Sequence, residues 1–196
     1  MILGVVLARG GSRRIPGKNK RLLGGKPLFL WIAEAGKQAG IFDMMMVSSD
    51  DLEILRLAEH NGFWAILRPW YLCTDHCPSY PALGHAVDEW MLVPTFGNGP
   101  KDGTVVLLEP TSPFASPDDI MGAVNLALVS GKPVVTATED EDEPNGAVYV
   151  ATTDWLKTGG HWDRSGPLRY PMPEDRSLDI NTPEDWAKAE AMLKRK

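Results

Sequence analysis

The residues best suited to chemistry lie near the start of the chain, directly after a short apolar run at residues 2–7. They form a glycine-rich segment, residues 7–19, that crowds three glycines, one serine and four cationic side chains together. Glycine lets backbone N–H groups approach an anion, and Arg and Lys supply charge-assisted hydrogen bonds to phosphate oxygens. The segment therefore predicts a polyphosphate-binding loop, with a surface turn of solvated charges as the alternative. Its residues include Leu7, Ala8, Arg9, Gly10, Gly11, Ser12, Arg13, Arg14, Gly17, Lys18 and Asn19.

Spacing excludes two common nucleotide-binding patterns. A P-loop needs a glycine five residues before the Gly-Lys pair, but Ser12 occupies that position. It also needs Ser or Thr after the lysine, where this chain has Asn19. The segment contains no G-x-G-x-x-G pattern either, so it is not a dinucleotide fingerprint.

Composition and charge limit the possible partners. A chain of 196 residues that is 43% apolar suits one domain, residues 1–196, with a sizeable core. The net charge of −6 argues against nucleic-acid binding by the whole surface. The cations at positions 9, 13, 14, 18, 20 and 21 are thus a local concentration on an acidic background, which favours a site over a general basic face.

Cysteine content and hydropathy indicate the compartment in which the protein is expected. Cys73 and Cys77, with His76 between them, lack the second ligand pair of a structural zinc site. So few cysteines are typical of a reducing compartment, which predicts a cytoplasmic location. No apolar run approaches the length needed to cross a bilayer, and the order of apolar and basic residues at the N-terminus is the reverse of a secretory signal.

Strand-like and helix-like segments alternate along the chain. This alternation predicts an α/β fold with a mostly parallel sheet and helices on both faces, and such folds bind ligands at the carboxyl ends of their strands. The glycine-rich segment follows the first strand and therefore lies at that edge. The strand-like runs are residues 2–7, 44–48, 63–67, 104–109, 133–138 and 146–151. The helical candidates are residues 27–39, a helix from Asp50 or Asp51 to about 61, residues 79–93, a helix after Ser116 that ends near 131, and one after Thr182.

Residues 7–28, through Asn19 and the Gly24-Gly25-Lys26-Pro27 turn, resemble the N-terminal signature of the acylneuraminate cytidylyltransferase family. The resemblance implies a Rossmann-like three-layer sandwich of the nucleotide-diphospho-sugar transferase type. It also implies an enzyme that transfers CMP from CTP to a sugar, a nonulosonate-like sugar acid, with Mg²⁺ as cofactor and pyrophosphate as the second product.

The resemblance assigns nucleotide contacts residue by residue. It implies that Arg9 and Lys18 bind triphosphate oxygens, that Ser12 bonds the phosphates, and that Asn19 lies beside the nucleotide. A second segment, Arg68-Pro69 followed by Thr74, Asp75 and Ser79, resembles the family's cytidine-recognition region. A strand-terminal turn with an Arg reaching to solvent is the alternative for Arg68. The implied nucleotide-binding set is Leu7, Ala8, Arg9, Gly10, Gly11, Ser12, Lys18, Asn19, Arg68, Asp75 and Ser79, and the implied catalytic set is Arg9, Ser12, Lys18 and Asp179.

Two further segments resemble the family's sugar-binding strands. Residues 107–114 read L-L-E-P-T-S-P-F, with Glu109 at a position where the family usually has Gln, and Ala115 follows where it usually has Arg. A carboxylate there repels an anionic sugar carboxylate. Residues 145–150 read N-G-A-V-Y-V, and Glu143 precedes them where the family usually has Arg. The implied sugar-binding residues are Glu109, Thr111, Ser112, Asn145, Gly146 and Tyr149.

The connection before Asn145 is unusually short. Family members carry a few dozen residues there that contribute to a homodimer interface and to the wall of the sugar pocket, whereas six residues join Thr138 to Asn145. The resemblance implies a homodimer, and the missing residues leave that expectation open. Trp155 and Trp162 lie near the shortened region and are candidates for a remodelled pocket wall.

Residues 177–185 resemble the family's metal-binding D-I-D-T segment. Residues i and i+2 of an extended segment project to one face, so Asp179 and Asn181 can share a Mg²⁺ site. Asn181 replaces the second aspartate and offers a carbonyl oxygen without the charge, which is a weaker ligand for a hard cation. The alternative is that Asp179 and Asn181 are only turn residues before the helix that Thr182 caps.

Two other functions compete with CMP transfer. A sugar-1-phosphate pyrophosphorylase shares the fold, but its loop usually reads L-A-G-G-x-G, and Arg9 departs from that pattern. A noncatalytic nucleotide-binding relative is suggested by Asn181 and by the missing insert.

Overall fold

The computed structural model describes residues 1–74, 76–93, 103–139, 144–162 and 166–194. In this part of the chain, seven strands form one sheet in the order β5-β4-β1-β6-β8-β7-β9. All neighbouring strands pair in parallel except at β8, which is antiparallel to both β6 and β7. The predicted mostly parallel α/β sheet is confirmed. The sheet strands are β1 (Ile2–Leu7), β4 (Met44–Ser49), β5 (Trp64–Leu67), β6 (Thr104–Leu108), β7 (Val134–Thr138), β8 (Pro144–Thr152) and β9 (Leu168–Met172).

The helices begin where the sequence places capping residues. The helices after Ser116 and Thr182 each start with a proline and a reciprocal capping box, and the Asp51 side chain accepts from two backbone N–H groups of its helix. The structure also contains elements outside the predicted strands and helices, among them a short helix after Thr152 and a small hairpin of β2 (Leu22–Leu23) and β3 (Lys26–Pro27). The helices are α1 (Leu28–Ala39), α2 (Leu52–His60), α3 (Ser79–Met91), α4 (Pro117–Ser130), α5 (Thr153–Lys157) and α6 (Pro183–Leu193).

Helices cover both faces of the sheet, as in a three-layer sandwich. Alternate residues of β1 point to opposite faces, so Val6 packs with α1, α2 and α4, while Val5 packs with α3. Since β1 is central and lies between covered faces, it reads as a continuous apolar run.

A third apolar cluster joins distant parts of the chain near the sheet edge. Ile15 of the glycine-rich segment packs there with Phe114, Ile180 and Trp186, all of which are buried. This cluster fixes the glycine-rich segment against the residues that lead into α6.

No helix in the described ranges is long and apolar enough to cross a membrane.

The segment before α6 is also held by an ion pair with α4. The Arg176 guanidinium donates two hydrogen bonds to the Asp119 carboxylate, at 2.8 and 2.9 Å. Asp119 is buried and completes the capping box with Ser116, and these hydrogen bonds hold the pKa of its carboxyl below the usual value although burial acts in the opposite direction. The Asp119 carboxylate thus caps the start of α4 and holds the segment before α6 in place.

We expect Asp119→Ala to lower the free energy of unfolding by about 2–4 kcal/mol, because it removes a cap and leaves Arg176 without its partner. Urea denaturation followed by circular dichroism measures the loss. Asp118→Ala, at an exposed position in the same first turn, is the control and should cost well under half as much. Equal losses for the two variants would contradict the anchoring role.

Candidate active site

The carboxyl ends of β1, β4, β5 and β6 meet at one edge of the sheet because these strands are parallel. The glycine-rich segment follows β1, Asp50 follows β4, Arg68 follows β5 and Glu109 follows β6. β8 runs in the opposite direction and therefore begins at this edge, which adds Gly146. The predicted location of the site is the place where these residues converge.

A cavity of about 380 Å³ opens at this edge, and most of the predicted nucleotide-binding residues line it. Two further cations whose role the sequence left open, Arg13 and Arg14, also line it. The lining residues that were predicted are Leu7, Arg9, Gly11, Ser12, Lys18, Asn19, Arg68, Ser79, Glu109, Thr111 and Asn181.

The glycine-rich segment is held in place by neighbouring loops. The backbone N–H of Gly10 donates to Asp50 at 2.8 Å, and the Asn19 amide donates to the Arg9 carbonyl at 2.9 Å. A Cβ at position 10 would lie 2.8 Å from the Cβ of Asp51, so glycine is required there by packing against the start of α2. Gly10 and the buried Ala8 do not line the cavity; they shape the segment that does.

Lys18 joins the glycine-rich segment to the C-terminal segment. Its ammonium donates to the carbonyl of Ile180 at 2.8 Å and lies 3.5 Å from Oδ1 of Asn181. Burial lowers the pKa of Lys18, while the negative charge of Asp179 acts against this change. Because an ammonium has three donors, the side chain can keep this link and still donate into the cavity.

Arg68 is a buried residue, and its guanidinium does not reach to solvent. It is 5% exposed, and it donates to the hydroxyl and the carbonyl of Ser48 at 3.0 and 2.6 Å. These bonds fix the guanidinium beside β4 while Arg68 still lines the cavity. The structure thus disfavours the solvent-reaching alternative for this residue. Ser48 is a supporting residue that the sequence analysis missed, since it lies inside an apolar strand with no motif of its own.

Asp179 and Asn181 face each other, as the extended segment predicts. The Asn181 amide donates to Oδ2 of Asp179 at 2.6 Å, whereas the buried Oδ1 of Asp179 has no hydrogen-bond partner in the described chain. Gly146 has a φ of +76°, and a Cβ there would lie 3.3 Å from Oδ2 of Asp179. Glycine at position 146 therefore lets the strand approach this carboxylate.

The donor set at Asp179 fits an ion that the nucleotide brings with it. A buried carboxylate oxygen without a donor is a suitable ligand for Mg²⁺. Among the described residues, no group of three or more His, Cys, Asp or Glu side chains could hold a metal by itself. Mg²⁺ is commonly bound by one or two carboxylates together with substrate phosphates. Asn181 keeps its oxygen toward Lys18, so its role in this arrangement is to orient Asp179.

A second, more aromatic cavity of about 240 Å³ adjoins the first. Tyr149 and Trp162 line it, as does Glu109, which faces both cavities. Burial raises the pKa of Glu109 to about 7; Asp179 acts in the same direction, while Arg68 and Lys18 oppose it. Hydrogen bonding from Ser79 also lowers the pKa of this carboxyl and so acts with the two cations. The carboxylate therefore lies at the junction of the cationic cavity and the aromatic cavity.

Two of the predicted sugar-binding residues, Ser112 and Asn145, lie in buried positions of the scaffold. Ser112 is fully buried and lines neither cavity. Asn145 accepts from the Thr136 hydroxyl at 2.7 Å and donates to the Ser177 hydroxyl at 3.0 Å, so it ties three segments together. Asp75, a predicted nucleotide-binding residue, lies outside the described residues, as does Glu143, which stands where the family usually has Arg.

Comparisons with known proteins identify the family of the chain and agree with its fold. A family profile for cytidylyltransferases matches residues 3–82. The chain is 30% identical to the CMP-N,N'-diacetyllegionaminic acid synthase of Legionella pneumophila, over 98% of this chain and 96% of that protein. It is 27% identical to the N-acylneuraminate cytidylyltransferase of Escherichia coli over 100% of this chain, which spans 52% of that longer protein.

A solved structure of CMP:2-keto-3-deoxy-manno-octonic acid synthetase complexed with CTP superimposes with a TM-score of 0.73 at 15% identity, covering 99% of this chain and 98% of that one. The architecture is thus the Rossmann-like fold of nucleotide-sugar transferases, and the cationic cavity lies at the strand edge where this class of fold binds ligands. The chain belongs to the acylneuraminate cytidylyltransferase family and is a nucleotidyltransferase, as the N-terminal signature predicted.

We expect Gly146→Ala to weaken the enhancement of CTP affinity by Mg²⁺ about tenfold, because the new methyl group displaces Asp179. Isothermal titration calorimetry with and without Mg²⁺ measures the enhancement. Gly131→Ala is the matched control, since Gly131 has a φ of +66° and open space around it. Both variants should lose about 1–3 kcal/mol of stability through backbone strain. The positioning role is refuted if both keep the same Mg²⁺ enhancement.

Lys18→Met should raise the dissociation constant for CTP about 10- to 100-fold, since it removes a charge-assisted hydrogen bond from the cavity. Direct titration with CTP provides the measurement. Lys26→Met removes a lysine that pairs with Glu34 away from the cavity, and its affinity for CTP should stay close to that of the wild type. An unchanged affinity in the Lys18 variant would show that this ammonium is only structural.

Proposed function

We propose that the protein transfers CMP from CTP to a hydroxyl group of a nonulosonate-like sugar acid, with release of pyrophosphate and with Mg²⁺ as cofactor. The observation that carries this proposal is the cationic cavity in which Lys18 joins the glycine-rich segment to the segment bearing Asp179. The names of the relatives, which act on legionaminic acid and N-acylneuraminate, support CTP and a sugar acid as the substrates.

The glycine-rich segment holds the triphosphate. Arg9, Ser12 and Lys18 line the cavity and donate hydrogen bonds to phosphate oxygens, while Arg13 and Arg14 add positive charge at its wall. Arg9 also donates to the Cys73 carbonyl at 3.4 Å. This hydrogen bond connects the triphosphate end of the cavity to the loop after β5. Arg68 and Ser79 lie across the cavity and contact the cytidine part.

Asp179 would hold Mg²⁺ through its unpartnered oxygen. When bound, the ion neutralises charge that develops on the phosphate oxygens as pyrophosphate leaves. The acceptor lies in the second cavity, with its hydroxyl directed past Glu109 toward the α-phosphate. A bond forms between that oxygen and the α-phosphorus as the bond from this phosphorus to the bridging oxygen breaks, pyrophosphate leaves with that oxygen, and the hydroxyl proton passes to water.

The second cavity disfavours a sugar 1-phosphate as acceptor. A phosphorylated sugar needs cations around its phosphate group, but no Lys or Arg is among the described residues that line this cavity. The free thiols Cys73 and Cys77 are consistent with a reducing, cytoplasmic location, which we include in the proposal.

The proposal is tested by incubating the protein with CTP, Mg²⁺ and a panel of sugar acids, with mass spectrometry for CMP-sugars and a coupled assay for pyrophosphate. We expect CMP-sugar formation that a chelator abolishes. Asp179→Asn should lower kcat/KM about 100-fold or more, because it removes charge stabilisation at the phosphates. Asp175→Asn, four residues earlier on an exposed turn, should leave kcat/KM unchanged.

Absence of pyrophosphate release with every acceptor would overturn the proposed function. Turnover that survives both the chelator and the Asp179→Asn substitution would overturn the role of the metal.

A further inference from the structure

The second cavity contains one charged lining residue in the described part of the chain, and that residue is an acid. Its walls are the rings of Tyr80, Tyr149 and Trp162 with Leu107 and Pro144, and Glu109 faces it where it adjoins the first cavity. Lys18 and Arg68, the cations that act on Glu109, line the first cavity and not the second. The two cavities therefore differ in electrostatic character on the two sides of one carboxylate.

The aromatic wall is fixed by the chain itself. The indole N–H of Trp162 donates to the Val150 carbonyl at 3.0 Å, and its backbone N–H donates to the Tyr80 hydroxyl at 2.9 Å. The rings of Tyr80 and Trp162 stack with centroids 5.6 Å apart. Such a wall suits an apolar group, such as the acyl carbons of an acylamino substituent.

A carboxylate at the edge of an apolar wall selects by hydrogen bonding and by charge. Ionised Glu109 accepts hydrogen bonds and donates none, so it matches an N–H or O–H group of the acceptor. A second carboxylate in this cavity would face Glu109, with Asp179 close enough to raise its energy further, and the described residues that line the cavity include no Lys or Arg.

We propose that Glu109 is a specificity-determining residue, which requires the acceptor end that enters the aromatic cavity to be an uncharged hydrogen-bond donor and rejects an end that carries a carboxylate. The amide N–H of an acylamino group donates to Glu109, and the acid group of the sugar stays on the side of the cationic cavity. This inference rests on the proposed function, since it names which acceptors the same site takes.

The test compares two acceptors of nearly equal size and different charge. Neuraminic acid carrying an N-succinamoyl group ends in a neutral amide, and its N-succinyl counterpart ends in a carboxylate. The kcat/KM of each is measured for CMP transfer, together with its Ki against N-acetylneuraminic acid. Assays at about pH 8.5 keep Glu109 ionised. The proteins are the wild type, Glu109→Gln, and Glu174→Gln, which removes one negative charge from an exposed position.

We expect the wild type and Glu174→Gln to prefer the amide-ended acceptor about tenfold or more, as like charges at close range predict. Glu109→Gln should bring the preference close to parity, because a glutamine amide can donate to a carboxylate. The same preference in all three proteins would overturn the proposal, as would a wild-type preference for the carboxylate-ended acceptor. Failure of both analogues to react or inhibit would also overturn it.

The outcomes separate this proposal from the proposed function. CMP transfer to N-acetylneuraminic acid with an unaltered preference in Glu109→Gln would remove the role of Glu109 and leave the function standing. Absence of CMP transfer to any acceptor would remove both.

Discussion

The hydrogen bond from the Lys18 ammonium to the Ile180 carbonyl is the interaction on which the site depends. It joins two segments that are 162 positions apart, one that follows the first strand and one that precedes the last helix. Ile15 and Ile180 pack in the same apolar cluster beneath it, so the link is supported from the core. Arg176 and Asp119 fix the same C-terminal segment from the side of α4. The Lys18 ammonium and the Asp179 carboxylate, to which we assign the phosphates and the metal in the proposed function, are thus held close together by packing as well as by charge.

Charge is distributed unevenly over this edge of the sheet. Among the described residues, five Arg or Lys side chains line the larger cavity, while the smaller one has aromatic walls and a single acid. The parallel strand order explains this separation. β1 and β5 deliver cations to one side of Glu109, and β8 and the segment before β9 deliver Tyr149 and Trp162 to the other. A triphosphate and a largely uncharged group can therefore meet at one carboxylate, each in surroundings that suit it.

The fold could be predicted from the sequence because its signals are local. Apolar runs predicted the strands of the sheet up to β8, and Ser116 and Thr182 predicted the helix starts that the structure shows. The helix at Thr153–Lys157 is only five residues long, too short for a hydrophobic period, and it was missed. The glycine-rich segment predicted the cationic cavity for the same local reason, since its charges are neighbours in the chain.

The roles of motif residues were harder to predict because they depend on distant contacts. Asn145 and Ser112 belong to segments that resemble sugar-binding motifs, yet the structure uses their side chains inside the scaffold. Gly146 belongs to the same predicted sugar-binding motif, and the structure adds that it leaves space beside Asp179. No spacing rule in the sequence connects Asn145 with its hydrogen-bond partners or Gly146 with Asp179. These contacts form because β8 is inserted antiparallel between β6 and β7.

If the glycine-rich and C-terminal segments together bind a nucleoside triphosphate with its metal, that ligand must stabilise the folded protein. Thermal unfolding is therefore measured with CTP, UTP, ATP and GTP, each with and without Mg²⁺. A nucleotide at a hundredfold excess over its dissociation constant adds about 2.7 kcal/mol of stability. We expect a rise in Tm that is selective for CTP and larger with Mg²⁺. An equal rise with all four nucleotides, a rise that ignores Mg²⁺, or no rise at all would contradict it.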